Sequence, residues 1–191
     1  MFDHYIQWEY VGEKMILNRI LLLFIIIASS CSSGGGGNDD PGQVNDNALS
    51  VGDSFPGFTE LNPCSNEDIA YDYGDTSTVI LVSFFASWWG DCQGHVSSLE
   101  ALHQQYHQQG LVIISPGKDI GNPYSCESWR TTFGASYLIA NDNDRIIEQQ
   151  LSSDGTHPYH VLIDKNRIIR YSESGYDQST LESLIQTTLS E

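Results

Sequence analysis

The chain reads as an α/β domain in which a central mixed β-sheet is flanked by helices, built as strand–helix–strand and then strand–strand–helix behind an N-terminal extension. Three observations predict this. In Thr78–Phe85, seven of eight residues are β-branched, aromatic or leucine, the signature of a strand buried on both faces. After Cys92 the period changes: Val96, Leu99, Leu102 and Tyr106 recur at three and four, Gly110 stops that helix, and Leu111–Ser115 is a second short buried strand, completing a βαβ unit. Finally, Tyr159–Asp164 and Arg167–Tyr171 alternate around Lys165-Asn166, a two-residue turn in which Asn tolerates positive φ, and Leu181, Leu184, Ile185 and Leu189 space a helix over Ser179–Leu189. Between the two units, Glu127–Phe133 reads as a helix, Tyr137–Ala140 as a short strand and Arg145–Leu151 as another helix.

The 191 residues provide one domain, 48–191, behind a leader (1–31) and a Gly/Asn/Asp-rich tether (32–47) too polar to repay the entropy of ordering. The formal charge of −17, from 25 acidic against 8 basic side chains, repels phosphate backbones and excludes nucleic acid as a partner. In the leader, Arg19 precedes the apolar run Ile20–Ala28, whose nine residues fall short of the about 20 that span a bilayer and suit a secretion signal. Ala28-Ser29-Ser30-Cys31 with glycines behind it resembles a bacterial lipoprotein signal. That resemblance implies start at Met15, lipidation at Cys31, and an exported protein held at a bacterial membrane, facing the periplasm or the exterior. With Cys31 lipidated, three thiols remain, at Cys64, Cys92 and Cys126, which fits an oxidising compartment.

The chemistry concentrates where the first buried strand ends. Phe85-Ala-Ser-Trp-Trp-Gly-Asp-Cys92 resembles the redox turn of thioredoxin-like proteins, in which two cysteines at C-x-x-C open a helix; here Trp89 stands in place of the first. Val51-Gly-Asp-Ser-Phe-Pro-Gly-Phe58 resembles the V-G-D-x-x-P-x-F opening of membrane-tethered thioredoxin-like and peroxiredoxin-like domains, and Gly155-Thr-His-Pro158 resembles the loop whose proline is cis and lies against the dithiol. From Val51 to the C-terminus the chain is thus similar to the thioredoxin-like superfamily, in particular its redoxin (AhpC/TSA-related) and TlpA/ResA-type thiol–disulfide oxidoreductases. The resemblance implies a thioredoxin-like fold and a site at Cys92, Trp89 and Pro158. In the family the first cysteine attacks and the second resolves, so Cys92 occupies the resolving position and Trp89 supplies no nucleophile. The family's Glu and Pro after the second cysteine are here His95 and Ser97. A tryptophan codon lies a single base from either cysteine codon, so the gene at position 89 separates a substituted site from a recoded one.

Several other residues are candidates. His95, one helical turn beyond Cys92, is placed to polarise its thiol, and His157 is the second candidate for thiol tuning. Cys64 and Cys126 form either a structural disulfide or a partner for Cys92. The peroxiredoxin pattern Pro-x-x-x-Thr/Ser-x-x-Cys places Phe85 and Trp89 where it needs Pro and Thr, so peroxidase chemistry of that kind is not expected. His103 and His107, four apart among glutamines, read as a solvated helix face, and neither a metal nor a cofactor is expected. The expected function is extracytoplasmic thiol–disulfide exchange through Cys92 at a degenerate W-x-x-C site, with protein thiols and disulfides as partners. The alternative is a redox-inactive module holding a peptide between Trp88, Trp89 and Pro158.

Overall fold

A computed structural model of the chain describes residues 45–64 and 77–191. The leader with Met15 and Cys31, and the tether up to residue 44, lie outside the described residues.

Val79–Ala86 forms β1, buried along its whole length, as a run without polar alternation requires when both faces are covered. Gly90–Tyr106 is α1, continued by a 3₁₀ turn at His107–Gln109. Gly110 ends it at φ 101°, where a Cβ would also stand 2.9 Å from the Ser77 carbonyl oxygen. Leu111–Lys118 is β2 and continues three residues past the expected end at Ser115. Pro116 and Gly117 do not break it: Pro116 is in register with Ala140, and Gly117 leaves room for the Phe85 ring, which any Cβ there would overlap. α2 (Cys126–Phe133), β3 (Leu138–Asn141), α3 (Ile146–Leu151), β4 (Tyr159–Ile163), β5 (Ile169–Ser174) and α4 (Gln178–Ser190) follow in the expected order.

The sheet has the order β3-β2-β1-β4-β5, with β1 parallel to β2 and β2 to β3, and β4 antiparallel to both β1 and β5. This is the mixed βαβ–ββα sheet the sequence predicts. Val79, Leu81 and Phe85 face one core with residues of α1, α2 and α4; Ile80, Val82 and Phe84 face a second core with Ile147 and Leu151 of α3 and with Phe55. The Gly52–Phe55 segment hydrogen-bonds to Arg167 and Ile169, and Asn62–Cys64 lies along β3, so backbone covers part of both sheet edges.

The hairpin corrects one expectation. Its connection is not the two-residue Lys165-Asn166 turn but Lys165–Arg167, closed by Asp164 N–H to the Ile168 carbonyl at 3.0 Å and Arg167 N–H to the Asp164 carbonyl at 2.9 Å. The left-handed residue is Arg167 at φ 64°, not Asn166. The Asp164 carboxylate dictates this by accepting the Asn166 and Ile168 N–H groups, both at 2.8 Å, and the Arg170 Nε at 2.6 Å.

Candidate active site

Ala86, Ser87, Trp88 and Trp89 form the turn between β1 and α1. Ser87 is fully buried and ties the turn to the loop after β2: its N–H donates to the Lys118 carbonyl at 3.2 Å, and its hydroxyl to the carbonyls of Asp119 at 2.7 Å and Asn122 at 3.2 Å. Gln93 Nε2 closes the turn from the helix side, donating to the Ser87 carbonyl at 3.1 Å. Trp89 is the N-cap residue of α1, with extended backbone and a side chain that provides no capping bond. Trp88 and Trp89 stack at 5.5 Å and 14°, remain 53% and 38% exposed, and Trp88 Nε1 donates to Asp119 Oδ2 at 2.7 Å.

Cys92, in the first turn of α1, is the free thiol among the described residues, and it is buried. Burial pushes its pKa up to about 11; Asp91 adds to the rise, while the backbone of Ala86 and the charge of Lys118 oppose it. A thiol shifted this way from its reference value of 9.0 has about a hundredfold less thiolate at neutral pH. His95 does not offset this. No hydrogen bond joins it to Cys92; its ring stacks on Tyr176 at 4.4 Å, and burial lowers its proton affinity.

The loop Gly155–Pro158 reaches the same end of the sheet. Tyr159 pairs with Phe84, so extending the antiparallel register sets Pro158 opposite Phe85, next to the turn that leads into α1. The His157–Pro158 peptide is cis, the Pro158 carbonyl accepts the Gly175 N–H at 2.9 Å, and Gly155 at φ 65° passes so close to Arg145 that a Cβ would stand 2.9 Å from Nη2. Beneath the loop, Arg145 holds Glu148 with Nε and Nη2 at 2.9 and 3.1 Å, and Glu148 Oε1 lies 3.6 Å from His157 Nε2. Burial raises the Glu148 carboxyl, opposed by Arg145, and pushes His157 down to about 3, helped by Lys118 and Arg145. His157 is therefore a neutral ring at physiological pH, facing Glu148.

Sequence reading did not anticipate the Arg145–Glu148 pair, although its i,i+3 spacing and the capping Asp142, which accepts the Ile147 and Glu148 N–H groups at 3.0 and 2.9 Å, were visible signals. It also passed over His160, opposite Ser83 on β1, whose two buried ring nitrogens have no hydrogen-bond partner among the described residues; burial pushes this histidine down to about 3. Cys64 and Cys126 are joined in a disulfide with Cα atoms 5.4 Å apart, tying the segment along β3 to the start of α2. The His103 and His107 rings lie 5.1 Å apart on α1, and among the described residues no three His, Cys, Asp or Glu side chains are arranged to hold a metal ion.

Comparison with known proteins agrees with this geometry. A thiol:disulfide interchange protein described as DsbE, from Chlorobium tepidum, superposes with a TM-score of 0.58 at 18% identity, covering 74% of this chain and 99% of its own. A Bacteroides thetaiotaomicron protein described as a protein disulfide isomerase gives 0.63 at 18% identity over 75% and 92%. A protein described as a thioredoxin, from Neisseria meningitidis, gives 0.56 at 19% over 62% and 80%. No curated protein matches the chain. Residues 51–172 match the model of the AhpC/TSA family, and with the thioredoxin-like sheet and the cis-proline loop in place, the chain belongs to that family.

Proposed function

We propose that the protein exchanges disulfides with protein partners outside the cytoplasm, anchored by a lipid on Cys31 and using Cys92 as its sulfur. The observation that carries this reading is the placement of the free Cys92 in the first turn of α1, at the sheet end where the cis His157–Pro158 loop arrives. A lone sulfur limits the chemistry. The Cys92 thiolate attacks one sulfur of a partner disulfide, the S–S bond breaks, and the other sulfur leaves as a thiolate. A second partner thiolate then attacks the mixed disulfide and releases Cys92 unchanged. One disulfide is traded for another with no net electron transfer, which makes the activity shuffling or isomerisation rather than reduction.

Burial of Cys92 and exposure of the stacked Trp88–Trp89 pair favour a second reading, a module that holds a peptide at this face without exchange. A scrambled-disulfide refolding assay separates the two. Exchange predicts slow activity that Cys92→Ser abolishes; activity absent from the parent chain, or unchanged by Cys92→Ser, leaves only the binding role.

A further inference from the structure

Next to the tryptophan pair a cleft of about 370 Å³ is lined by Trp88, Asp119, Ile120, Gly121 and Asn122. Its polar groups are unevenly matched. Four of the N–H groups around it are already committed inside the protein: Trp88 Nε1 to Asp119 Oδ2 at 2.7 Å, Ile120 N–H to Asn143 Oδ1 at 2.8 Å, Gly121 N–H to the Tyr124 carbonyl at 2.8 Å, and Asn122 N–H to the Asp119 carbonyl at 3.3 Å. Acceptors are left over. Asp119 Oδ1 and the Gly121 carbonyl have no hydrogen-bond partner among the described residues, and the Asn122 side-chain amide at the cleft is neutral. The Trp88 ring, still 53% exposed, adds the negative face of an indole.

We infer that this cleft is a subsite for the ammonium or guanidinium of a Lys or Arg on the partner peptide, flanking the cysteine presented to Cys92. A carboxylate, a donor-free π face and one unpaired carbonyl together favour a group that only donates and carries positive charge. The loop is held in shape before the partner arrives, because the Ile120 carbonyl accepts Asn143 Nδ2 at 2.9 Å and Ser87 holds the carbonyls of Asp119 and Asn122, so little ordering is lost on binding. The net charge of −17 steers cationic segments toward the chain as a whole. Lys118, the adjacent cation, acts on Cys92, Glu148 and His157. The inference rests on the reading of this face as a partner-binding site but not on exchange at Cys92.

The test is a tryptophan-fluorescence titration of the full chain with three blocked peptides, Gly-Xaa-Cys-Gly with the cysteine S-methylated to prevent exchange and Xaa as Lys, norleucine or Glu. The Lys peptide is expected to bind about fivefold more tightly than the norleucine peptide and the Glu peptide most weakly. Asp119→Asn, which keeps an acceptor for the Trp88 indole, is expected to reduce the Lys preference to less than about twofold, and high salt to weaken it in the parent. Equal affinity for the Lys and norleucine peptides, no binding of any peptide, or a preference unchanged in Asp119→Asn overturns the subsite. Because the probes cannot exchange, a Lys preference in a chain without shuffling activity sinks the exchange reading alone, and shuffling without Lys preference sinks the subsite alone.

Discussion

The turn that carries Cys92 and the loop that carries Pro158 meet at one end of the sheet, yet they are held by opposite chemistry. The turn is fixed by backbone carbonyls and aromatic rings, with its sulfur buried and its ionisation suppressed by that burial. The loop is fixed by a buried ionic group, Arg145 on Glu148, with neutral His157 beside it and Gly155 fitted against the guanidinium. One end of a single sheet is thus secured in two independent ways: the cis-proline loop by an ion pair, and the turn by backbone carbonyls and stacked tryptophans around a buried thiol.

The largest expected effect strikes the loop. Arg145→Met leaves Glu148 buried without its cation and should cost about 3 kcal/mol at neutral pH, measured by urea unfolding. The Glu148 carboxyl is already raised in the folded chain, so the folded state binds its proton more readily than the unfolded one, and the deficit should shrink as the pH falls through that raised value. A variant as stable as the parent would mean that the ion pair does not hold the loop.

Next is the turn. Trp89→Cys places a thiol at the partly exposed N-cap of α1, where the helix N-terminus stabilises a thiolate and Cys92 becomes its resolving partner. Insulin reduction with dithiothreitol should rise at least about a hundredfold over the parent, because a thiol at a helix N-terminus ionises near neutral pH while the buried Cys92 does not. No gain would show that the scaffold, and not only the nucleophile, has been lost.

The smallest effect concerns the histidines. His157 and His160, ordinarily near 6.5, are held to about 3 by burial, so the folded chain keeps them neutral while the unfolded chain protonates them below about 6.5. The stability they preserve above pH 6.5 is therefore lost as the pH falls toward 3, by roughly 1.4 kcal/mol per pH unit for each histidine. His160→Leu should about halve that slope in urea midpoints measured between pH 6.5 and 5, leaving neutral-pH stability no lower. An unchanged slope would place the acid sensitivity elsewhere.

The contrast between turn and loop was only half legible in the sequence. β1 and α1 announce themselves through an unbroken apolar run and a three-and-four spacing, and the disposition of Trp89 and Cys92 follows from where that strand meets that helix. β2 hid its last residues because Pro116 and Gly117 read locally as breakers, whereas the partner strands tolerate a missing N–H and a missing Cβ there. The hairpin hid its turn type because Asp164, outside the assumed turn, organises it with its side chain. The loop's support was invisible for a related reason: Glu148 reaches Arg145 within one turn but His157 only through the fold, and alternation alone would have put His160 toward solvent on a strand that is covered on both faces.

Cys92 is a buried, weakly ionising thiol at the start of α1. The most direct measurement of this is the rate of iodoacetamide alkylation of the folded chain against pH, read by mass spectrometry at the one cysteine left outside the Cys64–Cys126 disulfide in the described domain. A rate still climbing toward a pKa of about 11 is expected. A plateau reached by about pH 8, the behaviour of an activated thiol, would contradict it.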